Sequence, residues 1–541
     1  SRAGGDLLGF LLGWCLLMAY VVDIGLFSIV SVGYLSYVLP QLNSTLTVSL
    51  GPVSFEVSLL GLAAFAIVLF LIALNIAGIR ESSLFNEIFT VMTLAAEGLV
   101  LVLAFALAFD PARFLGQLAY FGSDARMPNV SYTGLLDIRS ENFMYGVTIA
   151  MSSFIGIASI AQAAEETRNP WRVVPRAFKY SIVAVLLLTL SFSVLGNGVL
   201  GWRGLAESVY NPIAAIAARI PVVGPTLAQG IALVAFAINM VSANTGVIGV
   251  SRIVYSMGRY RLLPAFLSKL HRTRATPYVS IVIFGLVGGA LALTGCIYFV
   301  VSLYSFAALL SYVLINWCHI RLRSVERDAY RPWRTPLNVR VGGRELSLTA
   351  VVGTIVATGL FALLMVYHSE GRLLGALWVL VGLGVFCAYR LATGEGIRAN
   401  VSSKLIPPAM RYIRTLVYVP LLSNPRHVAE VIRERLDELS ELHLVTVLPG
   451  DVVRKLGREE LERLRAAQEE VLAEVCRLLR GYRCARRVLV AADASAAVAD
   501  YMSRNGIDRL VVLASKRRSV KGKAPIIQGL NSRTQVIFIS E

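Results

Sequence analysis

The chain has 541 residues, 56% of them hydrophobic and only 16% charged, and its mean hydropathy is +0.66. Soluble globular domains carry about a quarter charged residues, so this balance excludes them, together with disordered chains, collagen-like fibres and small disulfide scaffolds. The formal charge of +17 reads as asymmetry between the loops of an integral membrane protein and not as a nucleic-acid surface. The six cysteines show no CxxC or CxxH metal spacing.

A helix needs roughly 20 apolar residues to cross a bilayer. Ten stretches approach that length: 7–39, 57–78, 84–109, 142–165, 177–200, 226–256, 278–296, 298–320, 346–367 and 372–391. None has the short apolar core and small-residue cleavage site of a signal peptide. One set of loops is rich in arginine and lysine, among them Arg172, Arg176, Lys179, Arg272, Arg274, Arg327, Arg331 and Arg334. The positive-inside rule puts that set in the cytosol, and an even number of spans brings both chain ends there too. The expected location is the cell membrane.

Residues 1–392 therefore read as a membrane domain and 393–410, with its glycines, serines and Pro407-Pro408, as a linker. Beyond it, 411–541 alternates apolar runs at 415–421, 442–449, 487–492, 509–515 and 535–540 with charged amphipathic segments. Strands apolar throughout, separated by helices, predict a parallel α/β sheet covered on both faces. This second domain is expected in the cytosol.

The stretch 146–179 carries the most chemistry. Small residues crowd its centre: Ser152, Ser153, Gly156, Ala158 and Ser159 surround Phe154, Ile155 and Ile157. A helix weakened there can unwind and offer bare N–H and C=O groups to a ligand near mid-membrane. The same composition also serves as a packing face between helices.

FIGIASIAQAAEETRNPWRVVP (154–175) resembles the sixth helix and following loop of the amino acid–polyamine–organocation (APC) transporter superfamily. Three further stretches agree in order. LGFLLGWCLLMAYVV (8–22) resembles the third helix, 244–280 the eighth with its loop, and 304–323 with YRPWRTPLN (330–338) the tenth with its loop. The resemblance implies an all-α bundle of two inverted five-helix repeats, with substrate held between broken first and sixth helices. It makes the ten stretches family helices three to twelve and implies two more helices before residue 7. Substrate would then meet Ser152–Ser159 and Tyr20, and amino acids are the expected substrate, with H+ or Na+ as coupling ion. Two positions depart from the family: Ala158 stands where an acid is common, and Thr93 where some proton-coupled members carry a lysine.

Two acids lie inside apolar stretches, Asp23 and Glu97. An intramembrane carboxylate is expensive and is read first as functional. Either of them couples a proton or cation, or is held by a neighbouring hydroxyl or arginine. Thr93, Ser242 and Thr245 are further ion-coupling candidates, and Asn239, Asn244 and Asn316 polar groups along the pathway. Glu165 and Glu166 precede a basic loop and are expected to form a gate with Arg252 and Arg259.

The second domain resembles the universal stress protein fold, five parallel strands with helices on both faces. That family often binds a nucleotide after its fourth strand. Here only Gly529 and Ser532 match the end of its motif, beside a basic loop that includes Lys516 and Arg517. A regulatory nucleotide there is a weak expectation, and pairing of two such domains a second one. No GxxxxGK[ST] motif is present, so ATP-driven pumping of that kind is excluded, and no enzyme constellation stands out. Two other readings remain: an inorganic-ion cotransporter of the cation–chloride type, which shares the fold, and a non-transporting nutrient sensor or scaffold.

Overall fold

Helix lengths follow the apolar stretches closely, because a chain in lipid must satisfy its own backbone groups. The computed structural model describes the chain except residues 51–52, 79–81, 128–129, 163, 165–166, 168–169, 275, 328, 330, 332, 342–343, 406–412, 437–439, 480–481, 515–534 and 541. By contacts it divides into two compact units, Ser1–Arg327 with Trp333–Pro407, and Asp328–Pro332 with Pro408–Glu541.

The first unit is helical. In order come α1 (Asp6–Val38), a hairpin of β1 (Thr45–Leu50) and β2 (Val53–Ser58), α2 (Leu59–Ala77), α3 (Ser82–Leu107), α4 (Pro111–Leu118), α5 (Ile138–Ser152) and α6 (Ser159–Gln162). Then follow α7 (Pro170–Val199), α8 (Gly201–Glu207), α9 (Pro212–Ala218), α10 (Gly224–Arg259), α11 (Tyr278–Leu293) and α12 (Ile297–Val325). A second hairpin, β3 (Asn338–Val341) with β4 (Arg344–Ser347), leads into α13 (Leu348–Tyr367), α14 (Ser369–Ala392) and the short α15 (Ser402–Leu405). Eight of these helices are long and apolar enough to cross a membrane. Two of the ten expected spans differ. Helix α11 has only 16 residues, and 142–165 is not one helix but α5 and α6 with a break between them.

Helix α1 is apolar all round and is the axis of this unit. It packs along α10 and also against α12, α11 and α2, so Phe10, Leu17, Ile24 and Ile29 are fully enclosed. At 33 residues it is about 50 Å long, more than the roughly 30 Å hydrocarbon core. Small residues let neighbours approach it. A Cβ on Gly25 would lie 2.8 Å from the Gly288 carbonyl oxygen, and one on Gly249 2.5 Å from the Tyr20 ring.

The first residue of α1 anchors the chain that leaves α14. The Asp6 carboxylate accepts from Arg390 at 2.5 Å, from the backbone N–H groups of Val401 (2.8 Å) and Ser402 (3.0 Å), and from the Ser402 hydroxyl. Arg390, with no exposed side-chain surface, also donates to Glu395 at 2.5 Å. The stretch just after α14 is thus pinned to α1.

The second unit holds β5 (Ile413–Tyr418), α16 (Pro425–Arg435), β6 (Ser440–Pro449), α17 (Gly450–Lys455), α18 (Arg458–Leu478), β7 (Arg483–Ala491), α19 (Ala494–Asn505), β8 (Arg509–Ala514) and β9 (Gln535–Ser540). The five strands are parallel in the order β7-β6-β5-β8-β9. Alternation along the strands sends side chains to opposite faces. Val417, Leu442 and Leu444 pack with Val428 and Ile432 of α16 and Leu472 and Val475 of α18, whereas Leu416, Val445 and Leu510 pack with Val498 and Met502 of α19. This is the two-faced sheet that its apolar runs predict.

Candidate functional site

The break after α5 is built from residues that hold a helix poorly. Helix α5 ends at Ser152, Ser153 and Phe154 form a turn, Ile155–Ala158 form a 3-10 turn, and α6 lasts only from Ser159 to Gln162. Glycine lowers helix propensity by about 1 kcal/mol, and serine competes for backbone groups through its hydroxyl. Ser159 shows that competition, donating to the Gly156 carbonyl at 2.6 Å. Ser153, Gly156 and Ser159 are exposed, Phe154 and Ile157 are half-buried, and a Cβ on Gly156 would meet no atom within 4 Å. The break is thus exposed on one side, while some of its backbone groups are taken up locally: Ile157 N–H donates to the Phe154 carbonyl and Ser159 N–H to the Gly156 carbonyl. Ser152, Ile155 and Ala158 enter here through their backbone only, since their side chains lie outside the described set. Met151, the penultimate residue of α5, packs against the core around α1.

Asp23 lies where α1, α10 and α12 meet. It is 6% exposed, Tyr304 of α12 is among the groups beside its carboxyl group, and its Oδ1 has no hydrogen-bond partner among the described residues. Tyr20, one turn earlier on α1, is also buried and lies against Gly249 of α10. A buried carboxylate needs all its lone pairs met, and at Oδ1 that need is unmet among the described residues. Nothing in the spacing of residues 23 and 304 announces their meeting, so Tyr304 was not foreseeable from the sequence.

The remaining candidates sort by what their polar atoms already do. Thr93 donates to the Phe89 carbonyl of its own helix at 2.8 Å, Ser242 to Ile238 at 3.0 Å, and Thr245 to Ser242 at 2.6 Å. Glu97 is half-buried on α3, with Tyr34 of α1 among the groups near it. Asn239 and Asn316 bond back to carbonyls one turn earlier, whereas Asn244 of α10 accepts from Asn75 of α2 at 2.6 Å and ties two helices together. Arg252 and Arg259 are exposed on α10. Their expected partners Glu165 and Glu166 lie outside the described residues, as do Lys516, Arg517, Gly529 and Ser532 of the second unit.

A membrane helix interrupted part-way, here packed on α12 and α13, is the arrangement of a transporter built for a midplane ligand. Residues 2–389 match the family described as amino acid permease. The chain belongs to that family. It is similar to the branched-chain amino acid permease BcaP of Bacillus subtilis, with 26% identity over 391 residues, 71% of this chain and 77% of the relative. A methylthioribose transporter of the same organism is 22% identical over 393 residues, again 71% and 77% of the two chains. Cationic amino acid transporter 4 of the mouse is 26% identical over 330 residues, 59% of this chain and 48% of the relative. The protein is thus a multi-pass membrane transporter, not an enzyme, with an α/β domain at its C-terminal end.

Proposed function

We propose that this permease is a secondary active transporter that moves amino acids or closely related amines across the cell membrane by alternating access. The observation that carries the reading is the helix break at Ser153–Ala158 in a chain of this family. The ammonium and carboxylate of a substrate would be met by backbone groups released at this break, with Phe154 and Ile157 as apolar wall and Tyr20 on α1. No residue of Ser152–Ser159 carries a charge, which favours a neutral side chain over a cationic one. Helices α5 to α7 would rock as a bundle against the scaffold of α1, α10 and α11.

Asp23 is the first candidate for the coupling site. A carboxylate inside the bundle with one oxygen unpartnered among the described residues is stabilised by taking up a proton or a cation and becomes costly when it gives it up. Glu97, closer to the surface, is the second candidate. Thr93, Ser242 and Thr245 donate their hydrogens to carbonyls of their own helices, which leaves their oxygen lone pairs for a cation, and they stand as further candidates. The C-terminal α/β domain is assigned to the cytosol, where it would regulate transport and pair with a second copy.

The test is uptake by the purified protein in proteoliposomes, with a panel of labelled amino acids, an imposed proton gradient and, separately, a sodium gradient. Saturable uptake of neutral amino acids, driven by one gradient, is expected. In Phe154→Ala the KM should rise about tenfold, the scale for losing an apolar wall. Folded protein that moves only inorganic ions, or nothing, would end the proposal.

A further inference from the structure

At the corner between α13 and α14 sits a fully buried histidine, His368, whose two ring nitrogens face hydroxyls on two other helices. Nε2 is 2.5 Å from Oγ1 of Thr148 on α5, and Nδ1 is 3.0 Å from Oγ of Ser302 on α12. Both hydroxyl residues are themselves fully buried. The ring lies flat on Tyr145 of α5, with centroids 4.1 Å apart and planes 22° from parallel. The loop before α5 joins the same corner. Val130 forms a β-bridge with His368, and Ser131 N–H donates to the Tyr367 carbonyl at 2.9 Å.

The neighbouring bonds fix where each proton sits. The hydroxyl of Thr148 spends its one hydrogen on the Tyr145 carbonyl, at 2.7 Å. Toward the imidazole it can only accept, so Nε2 carries a hydrogen and donates. Ser302 accepts from the Gly371 N–H at 3.2 Å and keeps its own hydrogen for Nδ1, which accepts. The result is one directional chain through a neutral imidazole: Gly371 N–H to Ser302, Ser302 to Nδ1, Nε2–H to Thr148, Thr148 to the Tyr145 carbonyl. It starts on α14, crosses α12 and ends inside α5 at the Tyr145 carbonyl, eight residues before the turn at Ser153 where that helix breaks.

We propose that His368 is a positioning residue for transport: through Ser302 and Thr148 it tethers α5 to α12 and the α13–α14 corner, and so sets the energy at which the substrate-binding break can swing. The proposal rests on the transporter reading above, in which α5 moves with its bundle against a scaffold that includes α1; α12 packs on α1 and carries α13 and α14 with it. A tether of this kind acts on the conformational step and leaves the substrate contacts alone. It should therefore change kcat with little change in KM.

The test uses Thr148→Val, which keeps the shape and removes the hydroxyl, Ser302→Ala, and the conservative Thr148→Ser. Two measurements are made on the full-length protein, amide hydrogen exchange across 138–152 in detergent and initial uptake rates in proteoliposomes. Thr148→Val and Ser302→Ala should each speed exchange in that segment about threefold to tenfold, the range for one buried hydrogen bond. They should also shift kcat by a similar factor, with KM within about twofold, while Thr148→Ser should restore both. Unchanged exchange in Thr148→Val overturns the tether. So does a Thr148→Ser protein as defective as Thr148→Val, which would make shape and not the hydroxyl the cause. Wild-type protein without transport overturns the transporter reading and this role with it, whereas transport that is normal in all three variants overturns the tether alone.

Discussion

Helix α1 carries two buried aspartates that live in opposite circumstances. Asp6 at its start is saturated. It faces a buried arginine, two backbone N–H groups and a serine hydroxyl, and its side chain is 1% exposed. Asp23, 17 positions later on the same helix, has Tyr304 beside it and one oxygen without a partner among the described residues. The same residue type in the same core thus does two jobs. A saturated carboxylate has nothing left to offer a ligand, and removing any partner strands a charge. An unsaturated one is poorly placed for stability but well placed to exchange a proton or cation. The difference lies in the partners, not in depth.

The largest expected effect comes from breaking the saturated site. Arg390→Leu leaves Asp6 without its counter-charge and should cost about 3–5 kcal/mol of stability, whereas replacing both members by apolar residues should recover much of it. Thermal unfolding in detergent, measured on both singles and the double, checks this. Asp23→Asn is predicted to behave otherwise. The neutral amide keeps the shape and removes a buried charge that is incompletely paired among the described residues, so stability should change by less than about 1 kcal/mol, while uphill accumulation is lost and substrate exchange at equal ion concentrations persists. An Asp23→Asn protein as unstable as Arg390→Leu would show that both aspartates are structural and that the comparison is false.

How much of this was legible follows the reach of each signal along the chain. Spans and strands are local, and apolar runs placed α1, α10, α12, α14 and the five parallel strands within a few residues. The break after Ser152 was also local, written in serine and glycine. Helix α11 was overestimated because 278–296 reads as apolar to its end, yet the helix stops at Leu293 before Gly295, whose φ of +60 favours glycine. The hairpin β1–β2 was missed although TLTVSL-GP-VSFEVS alternates polar and apolar residues about a Gly-Pro pair, a signal for which the rules exist. Strand β7 starts earlier than expected, at Arg483. It is an edge strand, with Arg486 and Arg487 exposed, so its first half need not be apolar. The pairs Asp6–Arg390, Asp23–Tyr304 and His368–Thr148 join residues hundreds of positions apart, and no spacing rule reaches that far.

A middle-sized effect sharpens the comparison by testing the wall around Asp23 without touching its charge. The Gly249 Cα faces the Tyr20 ring so closely that an added methyl would sit 2.5 Å from it. Gly249→Ala should cost about 1–3 kcal/mol through overpacking and push α10 away from α1 beside Asp23. Transport should fall together with stability, unlike Asp23→Asn, where the two separate. A fully active, fully stable Gly249→Ala would mean that the α1–α10 contact yields easily and does not hold Asp23 in place.

The smallest effect belongs to the neutral pair that stands between the two aspartates in kind. Asn75 of α2 donates to Asn244 of α10 at 2.6 Å and also to the Leu71 carbonyl of its own helix at 2.8 Å. No charge is at stake, and hydrogen bonds between helices in membranes average about 0.6 kcal/mol. Asn75→Ala removes one such bond and leaves the Asn244 oxygen, 7% exposed, without that donor. The expected loss is below about 1 kcal/mol, with uptake unchanged, read from melting in detergent and proteoliposome rates. This result would place the pair among ordinary helix contacts and confine the large energies to buried charge. A loss as great as that of Arg390→Leu would instead show that saturation matters in this core whatever the charge, and Asp23 would then need a partner that the two aspartates alone do not reveal.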